Sequence, residues 1–182
     1  GFPSINTFTP KSFEDDIKLA NECGVSTRPL FSGSTGVGIS VKDDPPKGED
    51  RRKLEILRRE ISETAELSKK HLGHTDFYSY GIDEGGPDAI RSERAAWRIA
   101  HDAGGKVMVT SYAHRKLLFA LDFLIIPGMP VEKREYEVNK FHEANPDSLT
   151  GWYANPHSGP ENPDYFRRTH GIMAYKANYD VS

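Results

Sequence analysis

The feature that most constrains the fold is a regular alternation of helix-like and strand-like segments along the 182 residues. The stretch RKLEILRREISETAELSKKHL repeats apolar residues every three or four positions, which predicts an amphipathic helix. A strand-like segment, DFYSYG, follows it, and then a second helix and the strands KVMVTSY and LDFLIIPG. The last strand is almost wholly apolar, which is typical of a strand covered on both faces. This alternation predicts an α/β fold with a parallel sheet.

Among parallel α/β folds, the (β/α)8 TIM barrel is the one that the motifs favour. The sequence has no GxGxxG after its first strand, so a dinucleotide-binding open sheet loses support. It has no GxxxxGK[ST], which excludes the P-loop class. Six strands are predicted, fewer than the eight of a closed barrel. We therefore expect residues 1–182 to form a single, partial or truncated barrel domain that belongs to a longer chain.

Composition narrows the classes of partner. The formal net charge is −3, no basic stripe is present, and no apolar run is long enough to cross a bilayer. We therefore expect neither a nucleic-acid nor a membrane partner.

The one cysteine, Cys23, excludes an intrachain disulfide and a thiolate zinc cluster, and we expect it to be a small buried apolar group. Ser12 is the predicted N-cap of the first helix.

The candidate site lies at the carboxyl ends of the predicted strands, where parallel barrels carry their active sites. The third strand ends in two adjacent carboxylates, Asp83 and Glu84, followed by two glycines. The other strand ends supply aromatic rings and polar groups. We take these as candidate substrate-binding residues: Arg28, Tyr80, Tyr112, Trp152, Tyr153 and Asn155. Aromatic faces that stack on sugar rings, with polar groups that bind hydroxyls, predict a carbohydrate substrate.

The adjacent carboxylates suit one form of glycosidic bond cleavage. The reaction needs an acid for the leaving oxygen and a negative partner near the anomeric carbon. The opposing strand, GWYANPH, supplies no carboxylate, but a substrate's own 2-acetamido group can act as the nucleophile. Repulsion within the pair would then help to hold Glu84 protonated while Asp83 stays ionised. Neighbouring strand residues point to opposite faces, an objection that weakens where Gly85 frees the backbone.

Other interpretations of these residues remain open. The pair could be an ordinary strand-to-helix loop with Asp88 near the helix start, and the aromatic residues could pack in the core. A metal site with His114 and His157 is conceivable, but no HxH or HExxH spacing supports it. No GxSxG is present for a triad hydrolase. We expect no metal and no cofactor.

The stretch FYSYGIDEGGPDAIRSERAAWRIAHDAGGKVMVTSYAHRKLLFALDFLIIPG resembles the barrel of glycoside hydrolases of the family 123 type and their uncharacterised relatives. Those chains carry a strand that ends in aromatic-x-x-Asp-Glu, then a helix and two further strands. The later PDYFRRTHGIMAYKANYD is also similar to them. The resemblance implies a (β/α)8 barrel and a retaining, substrate-assisted N-acetylhexosaminidase. Asp83 would polarise the acetamide and Glu84 would be the acid/base.

Two further functions are compatible with the same residues. One is a two-carboxylate glycosidase whose second carboxylate lies outside this chain. The other is a non-catalytic carbohydrate-binding barrel. A role in polysaccharide degradation and carbohydrate metabolism would make the protein secreted or periplasmic.

Overall fold

The structure, a computed structural model, describes residues 4–5, 10–28, 30–32, 38–42, 45–112, 121–128, 132–153 and 162–181. Strands and helices alternate through these ranges, as the sequence predicts. The strands are β1 (Ser4–Ile5), β2 (Leu30–Ser32), β3 (Phe77–Tyr80), β4 (Lys106–Thr110), β5 (Phe123–Pro127) and β6 (Leu149–Tyr153). The helices are α1 (Pro10–Glu22), α2 (Gly48–Leu72), α3 (Pro87–Asp102), α4 (Glu132–Ala144), α5 (Pro163–Phe166) and α6 (Ala174–Lys176), with a π-helix over Arg167–Met173 between α5 and α6.

The chain divides into two compact units, Gly1–Ile82 with Asp88–Met108, and Asp83–Pro87 with Val109–Ser182. In the first unit, β1 to β4 form a four-stranded parallel sheet in chain order. In the second unit, β5 and β6 pair in parallel. The prediction of an α/β fold with parallel strands is therefore confirmed.

Helix α2 shows how the first unit is built. Leu54, Leu57 and Ile61 lie on one face and are 6% exposed or less, so their burial stabilises the helix against the core. The helix ends at Gly73, whose φ of 75° is left-handed and whose N–H donates to the Lys69 carbonyl. Glycine adopts that conformation without a steric cost, which explains why the helix stops there.

Helix α3 covers the same core with Ile90, Trp97 and Ala100, all buried. It is followed by Gly105, where a Cβ would lie 2.9 Å from Ile61 Cγ2. That distance is shorter than real Cβ contacts allow, so the close approach of β4 to α2 requires glycine here.

The second unit has a core of its own, between β5, β6 and the helices that follow them. Phe123, Leu124 and Ile126 of β5 are buried, as are Val138 and Phe141 of α4. The near-continuous burial along β5 agrees with the apolar run that predicted a covered strand.

Two local predictions differ from the structure. Helix α1 begins at Pro10, a residue suited to the first helical turn, so Ser12 lies inside the helix and is not its N-cap. Cys23 is exposed, because it lies in the turn after α1 ends. The π-helix over Arg167–Met173 includes Gly171, and within it Thr169 Oγ1 donates to the Tyr165 carbonyl. The sequence also predicts a short helix over HRKLLFA, but these residues lie outside the described ranges.

No helix in the described ranges combines the length and the apolar composition needed to cross a bilayer.

Candidate functional site

The Asp83–Glu84 pair lies in a short loop directly after β3. On the strand side, Gly81 donates its N–H to the Met108 carbonyl at 2.7 Å. On the far side, Gly85 donates its N–H to the Thr110 carbonyl at 3.3 Å. Bonds to β4 before and after the pair therefore hold the loop, while Asp83 and Glu84 themselves are exposed.

Glu84 has an unusual backbone conformation. Its φ is 50°, in the left-handed region, which only two non-glycine residues adopt in the described part of the chain. A left-handed residue breaks the strand alternation that would send neighbouring side chains to opposite faces. The geometric objection to a cooperating pair therefore does not apply at this position. The strain of such a residue, about 1–3 kcal/mol, persists only where the surroundings impose it.

Ser111, which is not part of the loop, binds it through its side chain. It is fully buried, and its Oγ donates to the Gly85 carbonyl at 2.9 Å. Its own N–H donates to the Ile125 carbonyl, and this bond anchors Ser111 to β5 within the second unit. The next residue is Tyr112, 49% exposed. The structure thus joins the carboxylate loop to a segment that presents an exposed aromatic ring.

The sequence analysis did not single out Glu93, whose carboxylate binds the backbone of Ile82, the residue before Asp83. Glu93 lies on α3, is 4% exposed, and its Oε2 accepts the N–H of Ile82 at 3.0 Å. The same oxygen accepts the indole N–H of Trp97 at 3.3 Å. Burial raises the pKa of the Glu93 carboxyl, an effect that these two hydrogen bonds oppose. The signal for it was in the sequence, because Glu93 shares the apolar stripe of α3 with Ile90 and Trp97.

Among the predicted substrate-binding residues of β6, the ring of Trp152 is 4% exposed and packs on the His170 ring, with 4.5 Å between centroids. Core packing alone accounts for this position. Tyr153 is the last residue of β6, where its backbone pairs with Pro127. Asn155 lies outside the described residues, as do His114 and His157.

Arg28 and Tyr80 belong to the first unit and lie at opposite ends of its strands. Tyr80 ends β3 and is half-buried. Arg28 precedes β2, and its guanidinium lies 3.5 Å from the carboxylate of Asp76, the residue just before β3. Asp76 also binds Lys106 at 2.5 Å, at the start of β4. Arg28 is thus part of an ion-pair cluster at the amino ends of the strands, whereas the carboxylate pair follows a carboxyl end.

Among the described residues, neither a cavity nor a group of candidate metal ligands includes Asp83 or Glu84. Three cavities lined by described residues lie beside α3, at the amino end of β3 and beside α2, and neither Asp83 nor Glu84 lines any of them. The described histidines, cysteine, aspartates and glutamates form no group of three or more that could hold a metal ion.

The fold and site define a parallel α/β protein with an adjacent carboxylate pair at a strand's carboxyl end. No family model matches the sequence. No curated protein matches it either. The structural neighbours include an endo-β-N-acetylglucosaminidase from Cordyceps militaris in apo form, with a TM-score of 0.46 and 8% identity over 79% of this chain and 51% of that chain.

A second neighbour is a D-psicose 3-epimerase solved in the presence of D-fructose, with a TM-score of 0.43 and 13% identity. It covers 96% of this chain and 69% of the epimerase. This chain spans about half the length of the glucosaminidase that it matches. Both neighbours are enzymes, but likenesses at this level assign neither a family nor an activity to the chain.

Proposed function

We propose that the chain is part of a (β/α)8-barrel glycoside hydrolase in which Glu84 is the general acid/base and Asp83 orients a 2-acetamido group of the substrate. The observation that carries this proposal is the position of the pair. Two carboxylates follow the carboxyl end of a parallel strand, in a loop that is bonded on both sides and strained at Glu84. Active sites of parallel barrels lie at such ends.

The two residues have distinct roles in this mechanism. Glu84 protonates the glycosidic oxygen as the bond to the anomeric carbon breaks, and the substrate's acetamide oxygen attacks that carbon. Asp83 accepts the acetamide N–H and offsets the positive charge that develops on the amide. Glu84 then takes a proton from the water that opens the cyclic intermediate, so the configuration at the anomeric carbon is retained.

The surrounding residues support the pair in this account. Ser111 and Glu93 position the loop, and Tyr112 supplies an exposed ring on which a sugar face can stack. Glycoside hydrolases of the family 123 type, which the sequence resembles, have a similar order of strand, acidic pair and helix, and this resemblance supports the proposal. A polysaccharide or glycan substrate would also place the protein outside the cell or in the periplasm.

The test uses paired aryl glycosides on the full-length protein. Glu84→Gln and Asp83→Asn are assayed on aryl N-acetylhexosaminides and on the same aryl hexosides without the acetamido group. The proposal predicts turnover of the acetamido substrates alone, and its loss in both variants while sugar binding remains. If Asp83→Asn slows plain hexosides equally, the protein is a two-carboxylate glycosidase. Binding without turnover of any glycoside would make it a carbohydrate-binding barrel.

A further inference from the structure

The connection between β2 and α2 includes residues 38–41, hereafter the cover segment, which lie against α3 in the first unit. Val41 donates its N–H to the Ser92 carbonyl at 2.9 Å. The hydroxyls of Ser40 and Ser92 also lie 2.9 Å apart. Both bonds end on Ser92, the residue before Glu93 in α3, so the cover segment is bonded to the helix that carries this buried carboxylate.

The direction of the hydroxyl bond follows from a second contact of Ser92. Its Oγ donates to the Ala89 carbonyl at 2.8 Å, within α3. A hydroxyl has one proton to donate, so Ser40 is the donor in its bond with Ser92. Ser40 itself is exposed, and Ser92 keeps its bond to Ala89 when the Ser40 hydroxyl is absent. Ser40→Ala therefore removes a single bond between the cover segment and α3.

The cover segment lies beside the carboxylate of Glu93. Glu93 Oε2 accepts the N–H of Ile82 and the indole N–H of Trp97. A Cβ added at Gly38 would lie 3.5 Å from the other oxygen, Oε1, so the Gly38 backbone runs past that oxygen. Gly38 is exposed, whereas Glu93 is 4% exposed. The segment therefore lies between Glu93 Oε1 and water, which agrees with the raised pKa that burial gives this carboxyl.

A covered Glu93 holds Ile82 more firmly than a hydrated one. A hydrogen bond is electrostatically stronger in surroundings of low dielectric constant than in water. We propose that Gly38 and Ser40 are positioning residues, which keep the cover segment over Glu93 so that Glu93 holds the backbone at Ile82, one residue before Asp83. These contacts all lie within the first unit, but their value for turnover rests on the glycoside hydrolase function proposed above.

Hydrogen exchange of the Ile82 amide, followed by NMR on the full-length protein, measures how often the cover segment opens. Ser40→Ala removes a hydrogen bond of about 1 kcal/mol, so the open state should become about fivefold more populated. The Ile82 amide should exchange faster by the same factor. Ser40→Thr keeps the hydroxyl donor and should exchange at the wild-type rate.

Ser68→Ala is the matched control in the same unit. The Ser68 hydroxyl donates to the His74 carbonyl at 2.7 Å, near the end of α2. Its loss also lowers the free energy of unfolding, but the Ile82 amide should exchange within about twofold of the wild-type rate. An unchanged Ile82 rate in Ser40→Ala, or an equal increase in Ser68→Ala, overturns the proposal.

Turnover tests separately what the cover segment serves. Glu93→Ala, which releases Ile82 from its acceptor, should lower kcat on an acetamido glycoside and leave KM unchanged, because the position of the pair acts on the transition state. An unchanged kcat would overturn the positioning role. A wild type without any turnover would refute the glycoside hydrolase proposal, whereas the exchange rates would still decide whether Ser40 holds the cover segment over Glu93.

Discussion

The N–H of Ile82 donates to Glu93 Oε2 over 3.0 Å, so a buried carboxylate of α3 holds the residue that immediately precedes Asp83. Glu93 is 4% exposed and accepts a second hydrogen bond, from the indole of Trp97, on the same oxygen. Helix α3 therefore holds the backbone at Ile82, one residue before the carboxylate pair.

Glu93 should make stability depend on pH. Because burial raises its pKa in the folded state, the folded protein holds this proton more tightly than the unfolded chain does. The resulting contribution of Glu93 to the free energy of unfolding is complete below its ordinary pKa of 4.5. It is lost as the pH rises through the raised pKa of the folded state. Glu93→Gln stays neutral and can still accept both hydrogen bonds. As the pH rises from 4.5 through the raised pKa of Glu93, the free energy of unfolding of the variant should therefore increase relative to that of the wild type.

Urea unfolding at a series of pH values measures this difference. Glu93→Ala is the comparison that removes the acceptor, and it should cost about 1–3 kcal/mol by leaving buried donors without it. A pH dependence in Glu93→Gln identical to that of the wild type would refute the assignment.

Ser111 should matter for turnover as well as for stability. Ser111→Ala removes the bond to the Gly85 carbonyl, about 1 kcal/mol, and frees the loop that carries the pair. Ser148→Ala is the matched control, because its hydroxyl makes a similar bond to the Leu121 carbonyl. Both variants should lose stability in denaturant titrations, but only Ser111→Ala should lower kcat on an acetamido glycoside. Equal kcat in the two variants would show that the loop needs no such anchor.

Glu84→Gly should stabilise the protein while it abolishes turnover. Glycine adopts a φ of 50° without the left-handed cost of a side chain, but it loses more backbone freedom on folding, so the net gain is about 0.5–1 kcal/mol. Glu84→Gln keeps the strain and should unfold like the wild type. Differential scanning calorimetry of the three proteins checks this order. A clear loss of stability in Glu84→Gly would mean that the Glu84 side chain itself stabilises the fold.

Asp180 should be structural. Its Oδ2 accepts the N–H of Thr150 at 2.6 Å and the Thr150 hydroxyl at 2.9 Å, and His142 Nε2 lies 3.2 Å away. Because Thr150 is fully buried and its hydroxyl is engaged, this Asp-His-Thr group ties Asp180 to β6 and is not a catalytic triad. Asp180→Ala should lower the free energy of unfolding by about 1–3 kcal/mol in chemical denaturation and leave kcat unchanged. The control Asp147→Ala, at an exposed position, should change neither the free energy of unfolding nor kcat. A specific loss of kcat in Asp180→Ala would give the group a catalytic role.

The amphipathic helices and parallel strands could be predicted because their signals are local and repeated. Leu54, Leu57 and Ile61 all report the same buried face of α2. Single-residue inferences were less secure. Cys23 has an apolar side chain but lies in a turn, and Ser12 is a good cap residue but follows Pro10, which starts the helix.

The candidate site could be located along the chain but not assembled in space. The Asp83–Glu84 pair was predicted at a strand end, and it lies there. Arg28 was expected at the same kind of end, but its pairing with Asp76 depends on a contact between segments distant in sequence. The role of Glu93 likewise depends on a fold that brings α3 to the end of β3.

The most direct measurement is the turnover of acetamido glycosides that differ only in their leaving group. The account predicts that Glu84→Ala lowers kcat/KM about 10²–10⁴-fold on a poor leaving group such as phenol, and far less on dinitrophenol, which departs without protonation. Asp83→Asn should lose the same factor on both, and Glu66→Gln, an exposed control on α2, should lose nothing. Equal losses of Glu84→Ala on both leaving groups, or wild-type turnover on both, would contradict the account.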